Sequence, residues 1–307
     1  MKIFITGASG YIGGAIAEAL LAAGHEVSGL ARSDETAAAL QKRGIAPVAG
    51  TLDDSTALAA AALKADVTVN AANVGHRGAA EAIVGALAGS GKAFIHTSGS
   101  SIVGTRARGK LVEAVFDEDT PFTPTPQRAA RVAIDAMVRA AAANGVRAAV
   151  IAPSLIYGRG RGLNPHSIQV PWLIALAKKA GVARHIGSGA NRWSNVHIDD
   201  LVPLYLAAID KAPAGAFYFA ENGENAMRET CEAVSRMLGF GGRTQSMTVE
   251  EAAAEWGEGA ANDTMGSNSR VRARRARAEL GWRPNGAALI EEIERGCYAE
   301  EEGRAAR

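Results

Sequence analysis

Residues 3–13 read Ile3-Phe4-Ile5-Thr6-Gly7-Ala8-Ser9-Gly10-Tyr11-Ile12-Gly13. Ile3 to Thr6 is a short apolar run with β-branched residues, the composition of a buried strand. Helical spacing follows it, with Ile16, Leu20 and Leu21 on one face and Gly24 where a helix would end. Between strand and helix stand three glycines, Gly7, Gly10 and Gly13. One permits a tight strand-to-helix turn, one lets backbone approach a ligand closely, and one allows the helix to pack on the strand. The free amides and the positive end of the helix dipole then face whatever binds there, and an anion suits them. The Ser9 hydroxyl can add a donor. A pyrophosphate is the expected occupant, since the glycines sit inside a strand–helix–strand unit.

The same alternation continues outward. Strands are predicted at Glu26–Ala31, Ile45–Val48, Val67–Ala71, Ala93–Thr97 and Val146–Ile151. Helices are predicted at Asp34–Arg43, capped by Ser33 and stopped by Gly44, from Asp53-Asp54-Ser55 onward, at Ala79–Ala88 and at Arg128–Ala143. Apolar strands joined by helices mean α/β class: a Rossmann-type, doubly wound parallel sheet. After Pro153 the pattern loosens into a smaller C-terminal substrate lobe. Helices are expected there at Ile168–Ala180, Ile198–Ile209, Glu224–Leu238, Glu250–Trp256, Val271–Leu280 and beyond Gly286, with a strand at Phe217–Ala220. The division reads as residues 1–153 for the dinucleotide domain, with parts of 191–220 returning to it, and 154–307 for the lobe.

Bulk properties narrow the class. The chain has 307 residues, 48% apolar and 21% charged, which can bury a full core. A formal net charge of +1 provides no field to recruit nucleic acid or anionic lipid. Two cysteines, Cys231 and Cys297, imply neither a disulfide framework nor a metal site. No histidine pair has metal-ligand spacing. The run at the amino terminus is too short for a signal peptide, and no apolar stretch of about 18 residues would span a bilayer. A cytoplasmic protein with a small-molecule substrate, and no nucleic-acid or membrane partner, is expected.

About twenty residues beyond the glycines, NAD-binding folds place an acidic residue on the ribose. This chain has Leu30-Ala31-Arg32-Ser33 instead. A guanidinium at Arg32 can fork onto a 2′-phosphate with help from Ser33, which favours NADP(H) over NAD(H). The other reading is a solvated arginine at a helix start, compatible with NADH.

Further along stand Asn70-Ala71-Ala72, His96-Thr97-Ser98-Gly99, Ala152-Pro153-Ser154-Leu155-Ile156-Tyr157-Gly158, Asn195-Val196-His197-Ile198-Asp199-Asp200-Leu201 and Glu279-Leu280-Gly281-Trp282-Arg283-Pro284. With Thr6–Gly13 these segments resemble, in order and over nearly the whole chain, the extended short-chain dehydrogenase/reductases, also called NAD(P)-dependent epimerase/dehydratases. The resemblance implies that Ala71, Ala72 and Asn73 line the cofactor, that Thr51 and Leu52 lie near the adenine, and that Pro153 to Ile156, including Leu155, pass beside the nicotinamide. It also implies a substrate wall from Asn164–Gln169 and Asn191–His197, closure of the lobe by Ser267–Arg270, and a homodimer built on the helices at Ala79–Ala88 and Arg128–Ala143.

One feature departs from that pattern. The family's acid–base set is a Ser or Thr after the fifth strand and a Tyr-x-x-x-Lys on the next helix. Here Gly99, between Ser98 and Ser100, falls on the first position, Gln127 on the tyrosine and Arg131 on the lysine. No tyrosine lies between Tyr11 and Tyr157. Glutamine is no proton donor at neutral pH, while Arg131 can hold the ribose but will not titrate. Carbonyl reduction still needs a proton donor or a fixed oxyanion partner. Ser98, Ser100 and Tyr157 are the candidates, Tyr157 because it follows the sixth strand at the sheet's ligand-binding edge; a packed loop aromatic is the other reading. His76, His166 and His197 are weaker candidates, and Arg159 and Arg161 could meet an anionic substrate. The arginine-rich run Arg270–Arg277 reads as a solvated helix face. The expected function is an NADP(H)-dependent oxidoreductase acting on a small carbonyl or alcohol with non-standard proton delivery. The alternatives are an NADPH-binding sensor or scaffold without catalysis and, more weakly, a nucleotide-sugar epimerase or dehydratase, whose chemistry needs the missing base more directly.

Overall fold

A computed structural model of the chain describes residues 1–305. Strands β1 (Lys2–Thr6), β2 (Glu26–Ala31), β3 (Ala46–Ala49), β4 (Val67–Asn70), β5 (Ala93–Thr97) and β6 (Arg147–Pro153) alternate with helices α1 (Tyr11–Ala22), α2 (Asp34–Gln41), α3 (Ser55–Lys64), α4 (Arg77–Leu87) and α5 (Pro126–Ala140). The second half contains β7 (Leu155–Tyr157), α6 (Gln169–Ala180), β8 (Ala183–Ile186), β9 (Arg192–His197), α7 (Ile198–Lys211), β10 (Ala216–Ala220), β11 (Glu224–Ala226), α8 (Met227–Met237), β12 (Thr244–Met247), α9 (Val249–Trp256), α10 (Glu258–Ala260), α11 (Arg274–Glu279), α12 (Leu289–Arg295) and α13 (Cys297–Ala305). None of the helices among the described residues is long and apolar enough to cross a membrane.

Seven parallel strands form the main sheet in the order β10-β6-β5-β4-β1-β2-β3. Every residue of β4 and β5 is buried, so these strands do not alternate: helices cover both faces. The chain winds outward from β1 through β2 and β3, then returns to β4 on the other side of β1. That reversal opens a crevice at the carboxyl ends of β1 and β4, the place where sheets of this kind take ligands. Helix starts are fixed locally. The Ser33 hydroxyl accepts the Thr36 amide at 3.2 Å, and the Asp54 carboxylate accepts that of Ala57 at 2.9 Å.

A second core gathers around β7, α6, α8, α9 and α12. Two small sheets serve it: β11-β9-β7 and the parallel pair β12-β8. Two expectations are corrected here. Glu224–Leu238 is not one helix. Glu224–Ala226 pairs antiparallel with Arg192–Ser194, and the helix begins at Met227, where the Glu229 carboxylate caps the Ala226 amide at 2.8 Å. Nor is Val271–Leu280 one helix. Val271 bridges to Phe116 and gives its amide to Ser194 Oγ at 2.9 Å, so only Arg274–Glu279 is helical. The arginines of that run are paired, although Arg272 and Arg274 stay exposed as expected: Arg270 and Arg272 pair with Glu224, Arg274 with Asp117, Arg275 with Asp119 and Arg277 with Glu221.

Candidate active site

The crevice is built first by the turn after β1. Gly7 has φ +78°, and a Cβ there would stand 2.7 Å from the Ala71 carbonyl oxygen. A Cβ on Gly13 would stand 2.3 Å from the Gly7 carbonyl oxygen, so α1 sits against the turn only without one. The first helical bond runs from the Gly14 amide to the Gly10 carbonyl. Gly10 itself caps the helix without a side chain, and the first turn has no acidic residue. The amides of Tyr11, Ile12 and Gly13 therefore remain available to an anion. Gly10 lines the cleft, and a Cβ there would stand 3.1 Å from the Gly7 carbonyl oxygen. The Tyr11 side chain turns away and donates its hydroxyl to the Gly158 carbonyl at 2.8 Å, pinning the loop after β7 to the start of α1.

A cleft of about 600 Å³ runs from this turn past β2 and β3. Ser9, Arg32, Thr51, Leu52, Ala71, Ala72 and Asn73, all expected on the cofactor side, line it together. Arg32 is exposed on its rim. Ser33 does not line it, since its hydroxyl is engaged with Thr36 as the cap of α2. Leu30, Thr36, Gly50, Asp53 and His76 also line the cleft, unmarked by sequence as cofactor residues. His76 caps α4 by accepting the Ala79 amide at Nδ1 (3.1 Å), and its Nε2 reaches Asp53 at 3.0 Å. The residues present fit a dinucleotide: a strand-to-helix turn with free amides, and an adjoining cleft with a basic rim.

Beyond β5 the chain makes a short helical turn, Ser100–Val103. The Arg131 Nη1 donates to Ser101 Oγ at 2.9 Å. Neither Ser98 nor Ser100 makes that contact. Ser98 Oγ donates to Asp135 Oδ2 at 2.6 Å, one turn past Arg131 on α5, and Ser100 Oγ is paired with Ser269 Oγ at 2.7 Å. A Cβ on Gly99 would lie 3.6 Å from Arg131 Nη1, 3.9 Å from the Pro153 carbonyl oxygen and 4.0 Å from Ser101 Oγ. The missing side chain of Gly99 thus leaves room for one methyl group in ordinary contact with a guanidinium and a hydroxyl. Sequence reasoning missed Ser101, although a helical turn after β5 would have brought it, not Ser100, to face α5.

Beneath this floor lies a buried polar file. Thr6 Oγ1 donates to Asn70 Oδ1, and Asn70 Nδ2 donates to His96 Nδ1 at 3.1 Å. His96 Nε2 then faces Asp135 Oδ1 across 3.8 Å, and neither atom has a hydrogen-bond partner among the described residues. Burial, with Arg131 adding to it, lowers the His96 pKa to about 4, so the ring is neutral at pH 7. Burial raises the Asp135 pKa to about 6, against the Ser98 hydrogen bond and the Arg131 charge. Burial also lowers the Arg131 pKa, and Arg128 lowers it further.

Tyr157 is corrected. Its ring is fully buried in the second core, edge-on to His197, and its hydroxyl donates to the Ala287 carbonyl at 2.7 Å. Burial raises its pKa, so it offers the cleft neither access nor a proton. Leu155 is likewise buried in that core, at 2% exposure, and Pro153 ends β6 fully covered. His197 caps α7 by accepting the Asp199 amide at 3.1 Å. His166 is exposed near Glu301, to which Arg159 is also paired. Trp193 is a core residue giving its Nε1–H to the Ser267 carbonyl at 2.8 Å. Gln127 is exposed on the first turn of α5.

Comparison with known proteins now bears on this geometry. The model of the NAD dependent epimerase/dehydratase family matches residues 3–218. The chain belongs to that family. This epimerase/dehydratase-family protein is 33% identical to the oxidase ucsJ of an Acremonium species, over 95% of each chain. It is 30% identical to a 2-alkyl-3-oxoalkanoate reductase of Stenotrophomonas maltophilia, over 73% of this chain and 71% of that one. Its fold matches a UDP-glucose 4-epimerase of Thermotoga maritima with a TM-score of 0.78 at 15% identity, over the full length of both chains. By the alignment above, Gly99, Gln127 and Arg131 fall where this family's serine or threonine, tyrosine and lysine are expected, and Arg131 bonds to Ser101, two residues past Gly99.

Proposed function

We propose that this protein is an NADP(H)-dependent oxidoreductase that interconverts a small carbonyl compound and its alcohol. The observation that carries this reading is the Arg131–Ser101 pair beside the missing side chain of Gly99. The glycine turn and the first amides of α1 would hold the pyrophosphate, and Arg32 the 2′-phosphate. Bound NADPH supplies the hydride. Arg131 keeps its charge throughout, and its guanidinium stabilises the negative charge that grows on the carbonyl oxygen. Because Ser101 Oγ already accepts from Arg131, its own O–H is free to hydrogen-bond to that oxygen, which takes its final proton from solvent water. Oxidoreductases among the relatives support the class of reaction.

The test is coenzyme oxidation with a panel of aldehydes, ketones and oxo acids. NADPH consumption with at least one of them, faster than NADH consumption, is expected. Failure of every substrate with both coenzymes would overturn the proposal; retained NADPH binding would then leave a sensor, the reading that the missing tyrosine favours.

A further inference from the structure

We propose that Arg128 binds the carboxylate of the substrate, so that the site takes oxo acids, in which an anionic group lies a few bonds from the reacting carbonyl. This rests on the oxidoreductase reading above. Arg128 precedes Arg131 by three residues on α5, so the two side chains leave the same helix face. Both guanidinium groups are partly buried. Among the described residues, neither has a carboxylate within ion-pair distance. Arg128 Nη2 donates to the main-chain carbonyl of Asp263 at 2.9 Å, and Arg131 Nη1 to the Ser101 hydroxyl.

The nearby carboxylate is already committed. Asp263, on the turn Ala261–Met265, receives Nε and Nη2 of Arg106 at 2.6 and 3.0 Å. That bidentate pair neutralises Arg106; Asp263 still favours the charge on Arg128 and Asp135 that on Arg131, but neither carboxylate stands within ion-pair distance of the arginine it acts on. Their positions show the cost: burial lowers both pKa values, and Arg128 lowers that of Arg131. Two like charges held half-buried beside each other are unfavourable unless an anion joins them. A structural role for Arg128 alone, tying α5 to the Asp263 turn, would need a hydrogen bond but no charge.

The charge balance selects the anion. Arg131, whose Nη1 would lie 3.6 Å from a Cβ on Gly99, is assigned to the carbonyl oxygen. One positive charge then remains, on Arg128, and its Nε and Nη1 make no hydrogen bond to other described residues. A carboxylate carries a single charge and matches the two-pronged edge of a guanidinium. Side chains three apart on a helix are about 5–6 Å apart at Cβ, a spacing that suits a carboxylate and a carbonyl within one short molecule.

The test is calorimetric titration of the NADP⁺ complex, which cannot reduce a ketone, with 2-oxo and 3-oxo acids of four to ten carbons and with their methyl esters. At least one acid is expected to bind ten times more tightly than its ester. R128Q should bring that ratio to about one, and R128K should keep most of it. Unchanged NADP⁺ affinity in both variants shows that they are folded. Equal binding of acid and ester, no binding of either, or a ratio that survives R128Q would each overturn the proposal. Reduction of neutral ketones or esters without any acid preference would leave the oxidoreductase reading standing and remove this one. An acid preference in binding, with no turnover of any compound, would overturn the oxidoreductase reading alone.

Discussion

Arg131 donates from Nη1 to Ser101 Oγ across 2.9 Å, and that direction of donation leaves the serine proton without an acceptor among the described residues. A Tyr–Lys pair achieves proton delivery by lowering a phenol's pKa. Here a permanently charged group and a hydroxyl can only stabilise and donate. S101A removes one donor to the developing oxyanion and should lower kcat by about a hundredfold or more. R131M removes the charge as well and should lose more. R131K keeps the charge without the fork and should fall between. Steady-state kinetics with the best substrate checks the order; equal activity in S101A and the parent would dismiss the pair's role.

Arg32 stands exposed on the rim of the cleft beside the glycine turn, next to the cap of α2. Charge-assisted hydrogen bonds contribute about 1.5–3 kcal/mol each, which corresponds to roughly ten- to a hundredfold in affinity. R32D should therefore weaken NADPH binding by about that factor while improving or sparing NADH, since an acidic side chain there can receive ribose hydroxyls. Fluorescence titration of both coenzymes reads the ratio of dissociation constants. An unchanged ratio would show that Arg32 is a solvated residue at a helix start.

The first half of the chain was legible because its strands are short apolar runs punctuated by glycine and capping residues. Glu26–Ala31 and Ala93–Thr97 fall where the pattern put them. The second half was not, because its strands carry polar residues satisfied by distant partners. Arg192–His197 shows no pattern from which an element is predicted, yet it is strand β9 and mostly buried: Trp193 and Ser194 bond to the carbonyls of Ser267 and Val271, and Asn195 to Asn225. Short-range patterns contain no information about partners some 70 residues away. In the site, the glycine turn was visible at once, as was the substitution of Arg131. Ser101 and Arg128 were not, because each depends on the phase of a helical turn that begins at an uncertain residue.

Tyr157 shows the same limit. Its place after β6 put it at the sheet's ligand edge, but β7 pairs with β9 and carries the ring into the second core. Y157F should therefore act on stability. Loss of the bond to the Ala287 carbonyl leaves that oxygen unpaired and should cost about 1 kcal/mol. Urea unfolding measures this directly. A large fall in kcat with unchanged stability would return Tyr157 to the catalytic set.

His96 and Asp135 face each other across 3.8 Å and should pull stability in opposite directions over one pH range. The His96 pKa is lowered from 6.5 to about 4, so the stability it contributes is present above pH 6.5 and is lost as pH falls through about 4. The Asp135 pKa is raised from 3.8 to about 6, so its contribution is present below pH 3.8 and is lost as pH rises through about 6. Each shift corresponds to about 3 kcal/mol at about 1.4 kcal/mol per pKa unit. In the parent protein the two slopes largely cancel. D135N removes the falling limb, so its stability relative to the parent should rise by about 3 kcal/mol between pH 4 and 6.5. H96N removes the rising limb, and its relative stability should fall by a similar amount over that interval. Urea unfolding at half-unit pH steps gives both differences, with all other titrating groups subtracted by reference to the parent. Parallel curves for parent and variants would mean that the file from Thr6 to Ser98 is a neutral hydrogen-bonded strut and that neither group is held away from its ordinary range.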